Sequence, residues 1–219
     1  MQTSHLLAGP EKIDYTALAA ASSPTSETWE AFAREILDPA WLAAYRAETP
    51  WATDIQEICL DGLVFLFDAA RTLKQLPETG DDRVVAVWGR SRLPTQKRDR
   101  ARMAGLLPSP QRWSGSGLDR GHFVAHGAGG GLDLNLFPQL GTLNRGWSRQ
   151  GRLWRRMERY AASYPGTPLF VRPIYRDDSW RPSVLEFGLL IEHRLHVETF
   201  FNQESTTPRT ASERRMSDC

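Results

Sequence analysis

Cysteine and long apolar runs are both scarce in this chain. Only Cys59 and Cys219 occur among 219 residues, too few for a disulfide framework and wrongly placed for a zinc site, so a reducing compartment fits. The best apolar stretch, Leu63 to Ala70, is short and carries Asp68, whereas a membrane span needs ~18 apolar residues. The N-terminus lacks a basic segment followed by an apolar one. We therefore expect no membrane association and no cleavable secretion signal. A cytoplasmic protein is expected, with export by a specialised route left open.

The net charge of the whole chain is only +1, but the charge is strongly segregated. Residues 1–82 hold 5 basic and 14 acidic side chains, residues 83–181 hold 18 and 6, and residues 182–219 hold 4 and 6. Of the 18 central basic residues, 17 are arginine, which favours bidentate phosphate contacts over a merely solubilising charge. The central segment is therefore typical of a polyanion-binding surface, and a solvated surface of mixed charge is the alternative.

Apolar spacing divides the chain into three parts. In residues 1–82 it predicts an amphipathic helix ending at Asp38-Pro39 and a short helix before Pro50; residues 54–76 fit a helix, although 63–67 would also pass as a buried strand. From residue 83 onwards it predicts one helix, at 147–162, and strands at 84–88, 118–124, 169–175, 184–191 and 195–201. We thus expect an acidic, mainly helical N-terminal region (1–82), an α+β domain (83–203) and a disordered tail (204–219).

One short string carries most of the chemistry. Asp119-Arg120-Gly121-His122 is followed by Asn135-Leu-Phe-Pro-Gln139 and by Leu143-Asn144-Arg145-Gly146. The string supplies an imidazole as a base for water and a guanidinium for phosphate charge, and amide oxygens suit a hard cation. This combination of residues suits phosphodiester hydrolysis.

The D-R-G-H string followed by an asparagine resembles the DNA/RNA non-specific endonucleases of the ββα-metal superfamily, over roughly residues 83 to 203. The resemblance implies a ββα-metal core with a mixed or antiparallel sheet and flanking helices. It further implies a sugar-non-specific endonuclease that depends on Mg²⁺, with Mn²⁺ as an alternative, and that acts on DNA and also RNA.

The same resemblance implies roles for individual residues. His122 is the expected general base and Asn144 the metal ligand, although Asn144 could instead cap the following helix. Asn135 is expected to hold the metal loop by hydrogen bonds. Asp119 is expected to orient the backbone, the ring or metal-bound water. Arg120 is expected to reach the scissile phosphate or to pair with a neighbouring carboxylate.

A second group of charged residues is expected around this centre. Family members carry a glutamate on the helix after the metal asparagine, and Glu158 is the acidic candidate here. On one continuous helix it would lie ~21 Å from Asn144, so it serves the site only if the segment between them is an insertion. Nucleic-acid contacts are expected from a set of arginines: Arg90, Arg92, Arg145, Arg149, Arg152, Arg155, Arg156 and Arg159.

Two other functions remain open on the sequence alone. One is a nucleic-acid-binding protein on a decayed nuclease fold, against which the retention of His122 and Asn144 argues. The other is a nuclease toxin of narrow specificity, for which an inhibitor or immunity protein is a further expected partner. In that case the acidic N-terminal third could mask the basic cleft; otherwise it is a helical layer that completes the fold.

Overall fold

A six-stranded antiparallel sheet forms the centre of the protein, in a computed structural model that describes residues 12–49, 52, 54–69, 82–95 and 117–203. Its strands are β1 (Ile55–Leu60), β2 (Leu63–Asp68), β3 (Arg83–Arg90), β6 (Pro168–Ile174), β7 (Val184–Ile191) and β8 (Arg194–Phe201). They are hydrogen-bonded in the order β1-β2-β3-β6-β7-β8, and each neighbouring pair is antiparallel. A separate antiparallel hairpin consists of β4 (Leu118–His122) and β5 (Leu136–Leu140).

The helices flank this sheet in two groups. The first group comprises α1 (Tyr15–Ser22), α2 (Trp29–Phe32) and α3 (Asp38–Glu48), with the π-helical turn Ala33–Leu37 joining α2 to α3. The second comprises α4 (Gly141–Asn144) and α5 (Arg149–Ser163). The predicted helix end at Asp38-Pro39 is wrong. Proline lacks a backbone N–H, but Pro39 lies in the first turn of α3 directly after the wider π-helical turn, so the helix continues through it.

Alternation along the central strands gives the sheet two buried faces. In β2, Phe65 packs in one hydrophobic core and Val64 in the other, and in β6 Val171 and Phe170 are divided in the same way. One core lies against the hairpin and α5, which contribute Phe123, Phe137 and Trp154 among others. The other lies against the N-terminal helices, which contribute Trp29 and Trp41 among others. Strands buried on both faces are apolar at successive positions, as in Leu63–Phe67.

The predicted division at residue 82 does not separate two structural units. Residues 55–60 and 63–68 are strands rather than helix, and β2 pairs with β3 from Leu63↔Gly89 to Asp68↔Arg83. The expectation of a mainly helical N-terminal region is therefore wrong for this part. The reason is that apolar residues at successive positions satisfy both a buried strand and a helix face until the pairing partner is known.

The expected fold class is confirmed: the protein is α+β with an antiparallel sheet and flanking helices. Within the described ranges, no helix combines the length and apolar character that crossing a membrane requires. The predicted disordered tail at 204–219 lies outside the described residues, as do residues 96–116.

Candidate active site

The hairpin β4–β5 carries the D-R-G-H string along its first strand. The register pairs Asp119 with Gln139, Gly121 with Phe137 and His122 with Leu136. A Cβ on Gly121 would lie 2.5 Å from Cβ of Gln139, closer than any side chain tolerates. Gly121 therefore leaves room for the side chain of Gln139, which reaches across from β5. Any residue with a side chain at position 121 would clash with it.

His122 ends β4 and is only 8% exposed. Because side chains alternate along a strand, Arg120 lies on the same face of β4 as His122, while Asp119 lies on the opposite face. Arg120 is half-buried, its Nε atom is buried without a hydrogen-bond acceptor, and its guanidinium forms no ion pair with any described residue. Among the described residues, the alternative of a salt bridge from Arg120 to a neighbouring carboxylate is not found, and the adjacent Asp119 pairs with Arg145.

The structure brings Asp119, Asn144 and Arg145 together. Arg145 donates from Nε to Oδ2 of Asp119 at 2.7 Å and from Nη2 to Oδ1 at 2.5 Å. Asn144 donates from Nδ2 to the same Oδ2 at 3.1 Å. Partial burial acts to raise the pKa of the Asp119 carboxyl, but the hydrogen bonds from Arg145 and Asn144 and the charge of Arg145 outweigh it and hold the pKa below its usual range.

This geometry fixes the orientation of the Asn144 amide. An ionised carboxylate only accepts hydrogen bonds, so the amide must turn its NH₂ group towards Asp119. The Oδ1 atom of Asn144 is then directed away from the carboxylate. Asp119 thus acts on Asn144 and Arg145, which are 25 and 26 positions further along the chain.

Asn144 does not cap the following helix. It is the last residue of α4, and Ser148 is the N-cap of α5, where its Oγ accepts from the backbone N–H of Gly151 at 2.9 Å. Between them the chain turns at Gly146, with φ +76°, and the N–H of Trp147 donates to Thr142 O at 3.0 Å. The capping alternative for Asn144 is therefore wrong, because the turn at Gly146 separates Asn144 from α5.

Asn135 holds the loop that follows the histidine. It is fully buried, its Oδ1 accepts from Val124 N at 2.9 Å, and its Nδ2 donates to Val124 O at 2.8 Å and to Gly131 O at 2.9 Å. A Cβ on Gly130 would overlap Val124 O, so the glycines let this loop close onto the strand. Asn135 makes the hydrogen bonds expected of a residue that holds this loop. That the loop in turn positions a metal ion stays a prediction.

Glu158 lies on α5 and is only 9% exposed. Burial raises the pKa of its carboxyl above the usual range, and the charge of Arg155, whose Nη1 lies 3.2 Å from Oε2, only partly opposes this. Because α4 and α5 are separate helices, the distance along one continuous helix does not apply to Glu158 and Asn144. A role for Glu158 beside a metal stays a prediction.

The arginines of α5 form an exposed surface. Arg149, Arg152, Arg156 and Arg159 are exposed and form no ion pair with a described residue, while Arg155 pairs with Glu158. Their spacing of three, four and three residues places these four on one side of the helix. We call them the α5 arginine face.

The two upstream arginines are placed differently. Arg90 donates from Nη1 to Ser26 Oγ at 2.8 Å and lies 4.0 Å from Glu30, on the side of the sheet covered by the N-terminal helices. Its predicted contact with nucleic acid is therefore not supported: Trp88 faces the N-terminal helices, and strand alternation places Arg90 on the same side. Arg92 lies beside the loop after His122, since its N–H donates to Ala128 O at 3.0 Å and its Nη2 lies 3.6 Å from Asp61.

Sequence reasoning missed three features of this region. Arg145 is the partner of Asp119 and not merely one member of a basic surface. Trp147 is 66% exposed beside it. The amide of Gln139 is fully buried, and neither of its polar atoms has a hydrogen-bond partner in the described chain. None of the three had a usable signal: Trp147 lies seven residues before Trp154, in phase with the buried residues of α5, and was therefore included in the predicted helix at 147–162.

Comparisons with known proteins add little to this geometry. No family model matches the chain, and no curated protein matches it. Among solved structures, the chain is similar to Sda1 nuclease with a bound zinc ion, at a TM-score of 0.41 and 13% identity, over 74% of this chain and 94% of that chain. A likeness at this level assigns no function to the chain.

Proposed function

We propose that this protein is a Mg²⁺-dependent endonuclease that hydrolyses phosphodiester bonds of DNA and RNA without sequence preference. The observation that carries the proposal is the hydrogen bond from Asn144 to Asp119, at 3.1 Å. This hydrogen bond joins the end of the short helix α4 to β4, the strand that carries the D-R-G-H string. The hairpin β4–β5 is thus followed by a helical segment that folds back onto it. Mn²⁺ is an alternative cation.

The residues present fit a cation of this kind. Among the described residues, no group of three or more His, Cys, Asp or Glu side chains could hold a metal ion, so a site built from three such ligands is not found there. Mg²⁺ keeps several of its waters and needs only one or two protein oxygens. Asn144 presents its Oδ1 away from Asp119, as a neutral oxygen ligand. When bound, the ion stabilises negative charge on the phosphate and on the departing oxygen.

The side chains of β4 account for the remaining chemistry. In this proposal His122 accepts a proton from the attacking water, whose oxygen bonds to phosphorus while the bond to the leaving ester oxygen breaks. Arg120 donates hydrogen bonds to the phosphate oxygens, supported by its lack of an ion-pair partner in the described chain. The exposed arginines of α5 bind the phosphate backbone, which carries no sequence information.

The test is cleavage of plasmid DNA and of total RNA by the purified protein, with Mg²⁺ or with EDTA. The wild type is expected to degrade both substrates with Mg²⁺ and neither with EDTA. His122→Ala is expected to lower the rate by ~10² to 10⁴ and to leave DNA binding in EDTA nearly unchanged. His196→Ala is the matched control, because His196 is exposed on β8. If His122→Ala retains more than about half of the activity, the proposed role of the D-R-G-H string is wrong.

A further inference from the structure

An exposed tryptophan stands directly beside the candidate active site. Trp147 is 66% exposed, although tryptophan is usually buried or engaged at an interface. The backbone around it is held: Gly146 N donates to Leu143 O at 3.2 Å, and Trp147 N donates to Thr142 O at 3.0 Å. The indole is therefore carried on a defined turn between α4 and α5.

The guanidinium of Arg145 lies over the indole. The distance from its Cζ atom to the ring centroid is 4.7 Å, within the range of a cation–π contact. Arg145 is itself fixed by two hydrogen bonds to Asp119, the same carboxylate that orients Asn144. The position of the indole is thereby tied to the proposed metal ligand.

We infer that Trp147 stacks on an unpaired nucleobase and that single-stranded nucleic acid is the preferred substrate; this inference rests on the proposed function. Aromatic side chains that stack on bases, combined with a basic surface that follows the backbone, are the means by which proteins bind single strands. Here the α5 arginine face begins at Arg149, two residues after Trp147. In a duplex the bases are stacked on one another, so their faces are not open to the indole.

The experiment measures binding without cleavage, in EDTA, by the fluorescence anisotropy of end-labelled oligonucleotides. Two strands of the same length and charge are compared: a thymidine homopolymer and an abasic deoxyribose-phosphate strand. The wild type is expected to bind the strand with bases about 5- to 150-fold more tightly, because stacking acts on bases alone. Trp147→Ala is expected to lose most of this preference, and Trp147→Phe to retain most of it.

Tyr164→Ala is the matched control, since Tyr164 is 58% exposed at the far end of α5 and is expected to leave the preference unchanged. The inference is overturned if the wild type binds both strands equally or if Trp147→Ala keeps the preference. An equal loss of affinity for both strands also overturns it, because that result would assign Trp147 to the fold or to the phosphate contacts. These outcomes are independent of plasmid cleavage. Cleavage without a base preference would refute the stacking alone, and a base preference without cleavage would refute the nuclease alone.

Discussion

Asp119 organises the candidate site without being a candidate metal ligand in our proposal. Its two oxygens accept from Arg145 and Asn144, and its pKa is held below the usual range, so it stays ionised at neutral pH. A permanently charged carboxylate turns an amide in one direction only. Asp119 therefore determines which atom of Asn144 is presented to a cation.

Asn144 and Ser148 allow the metal role and the helix-capping role to be separated. Asn144→Ala is expected to require far more Mg²⁺ for residual activity while melting within a few degrees of the wild type, since Ser148 is the cap of α5. Ser148→Ala is expected to show the reverse, with an unchanged Mg²⁺ titration and a loss of ~1 kcal/mol, or roughly 2–4 °C in Tm. A Mg²⁺ titration of activity and a thermal melt of each variant make the comparison. An unchanged Mg²⁺ requirement in Asn144→Ala would contradict its assignment as ligand.

Asp38 is a buried carboxyl whose ionisation should oppose folding. It is 7% exposed at the start of α3, and burial, together with the charge of Glu57, raises its pKa from an ordinary 3.8 to about 7, with partial opposition from the indole of Trp88 and from the charge of Arg34. A raised pKa means that the neutral carboxyl favours the folded state. This contribution is fully present below about pH 4 and is lost as the pH rises through 7.

We therefore expect Asp38→Asn to match the wild type at pH 4 and to be more stable at pH 8. The gain corresponds to at most ~4 kcal/mol, because one pKa unit is worth about 1.4 kcal/mol. Denaturant melts of both proteins between pH 4 and pH 8 test this. Parallel curves across that range would show that the carboxyl is not responsible.

The sequence predicted the residue types of the site but not their contacts. His122, Asn144 and Asn135 were identified from the motif, whereas the pairing of Asp119 with Arg145 depends on how the turn after α4 folds back to β4. Arg90 shows the converse case. Alternation divides the residues of β3 between two faces, but which face meets the hairpin is decided only by packing against the N-terminal helices.

At the scale of elements, much of the second half of the chain was predictable. β7 has its predicted bounds, β6 and β8 lie within one residue of theirs, and α5 lies within two. In α5 one face is buried and the other, which carries the arginines, is exposed, and this gives a clear helical period. The strand β1 was not predicted, and β2 was predicted only as the alternative to a helix at 63–67, since a strand that is buried on both faces has no period-two pattern. β5 was also missed, because Pro138 in its middle argues against a strand and is accommodated here in a two-stranded hairpin.

The α5 arginine face is expected to contribute affinity for nucleic acid without contributing chemistry. Arg152→Ala combined with Arg156→Ala removes two exposed guanidinium groups, and we expect the slope of log affinity against log salt to fall in magnitude by about 1.4 to 1.8. Binding of a labelled oligonucleotide in EDTA at several salt concentrations measures the slope. Arg46→Ala combined with Arg194→Ala is the matched control, since both are exposed elsewhere and change the net charge equally. An equal fall in the control would mean that net charge, rather than this face, governs binding.

At the scale of the molecule, the described helices of the acidic N-terminal third form a layer that packs against the sheet. Trp29 and Trp41 are fully buried in the core that these helices share with the sheet. The helices lie across the sheet from the hairpin, so two layer spacings of ~10 Å put roughly 20 Å between them and the candidate site. This exceeds the ~8 Å Debye length at physiological ionic strength, so their charge should be largely screened there. Asp61 lies closer to the site, because it reaches Arg92 beside the loop after His122.

A chain that begins at Asp82 should therefore fail to fold rather than become hyperactive. The truncation removes β2, leaving β3 as an unpaired edge, and it removes the helices that cover Trp88 and Phe170. The exposed apolar surface is expected to make the product insoluble or inactive.

Masking by charge can be tested in the intact fold with Glu30→Gln combined with Glu35→Gln, since both residues are exposed. We expect DNA affinity at physiological ionic strength to change by less than about twofold, because the charge of these residues is screened there. Tighter binding that fades towards about 0.3 M salt, together with a soluble and more active truncated chain, would contradict the structural role and support a masked nuclease.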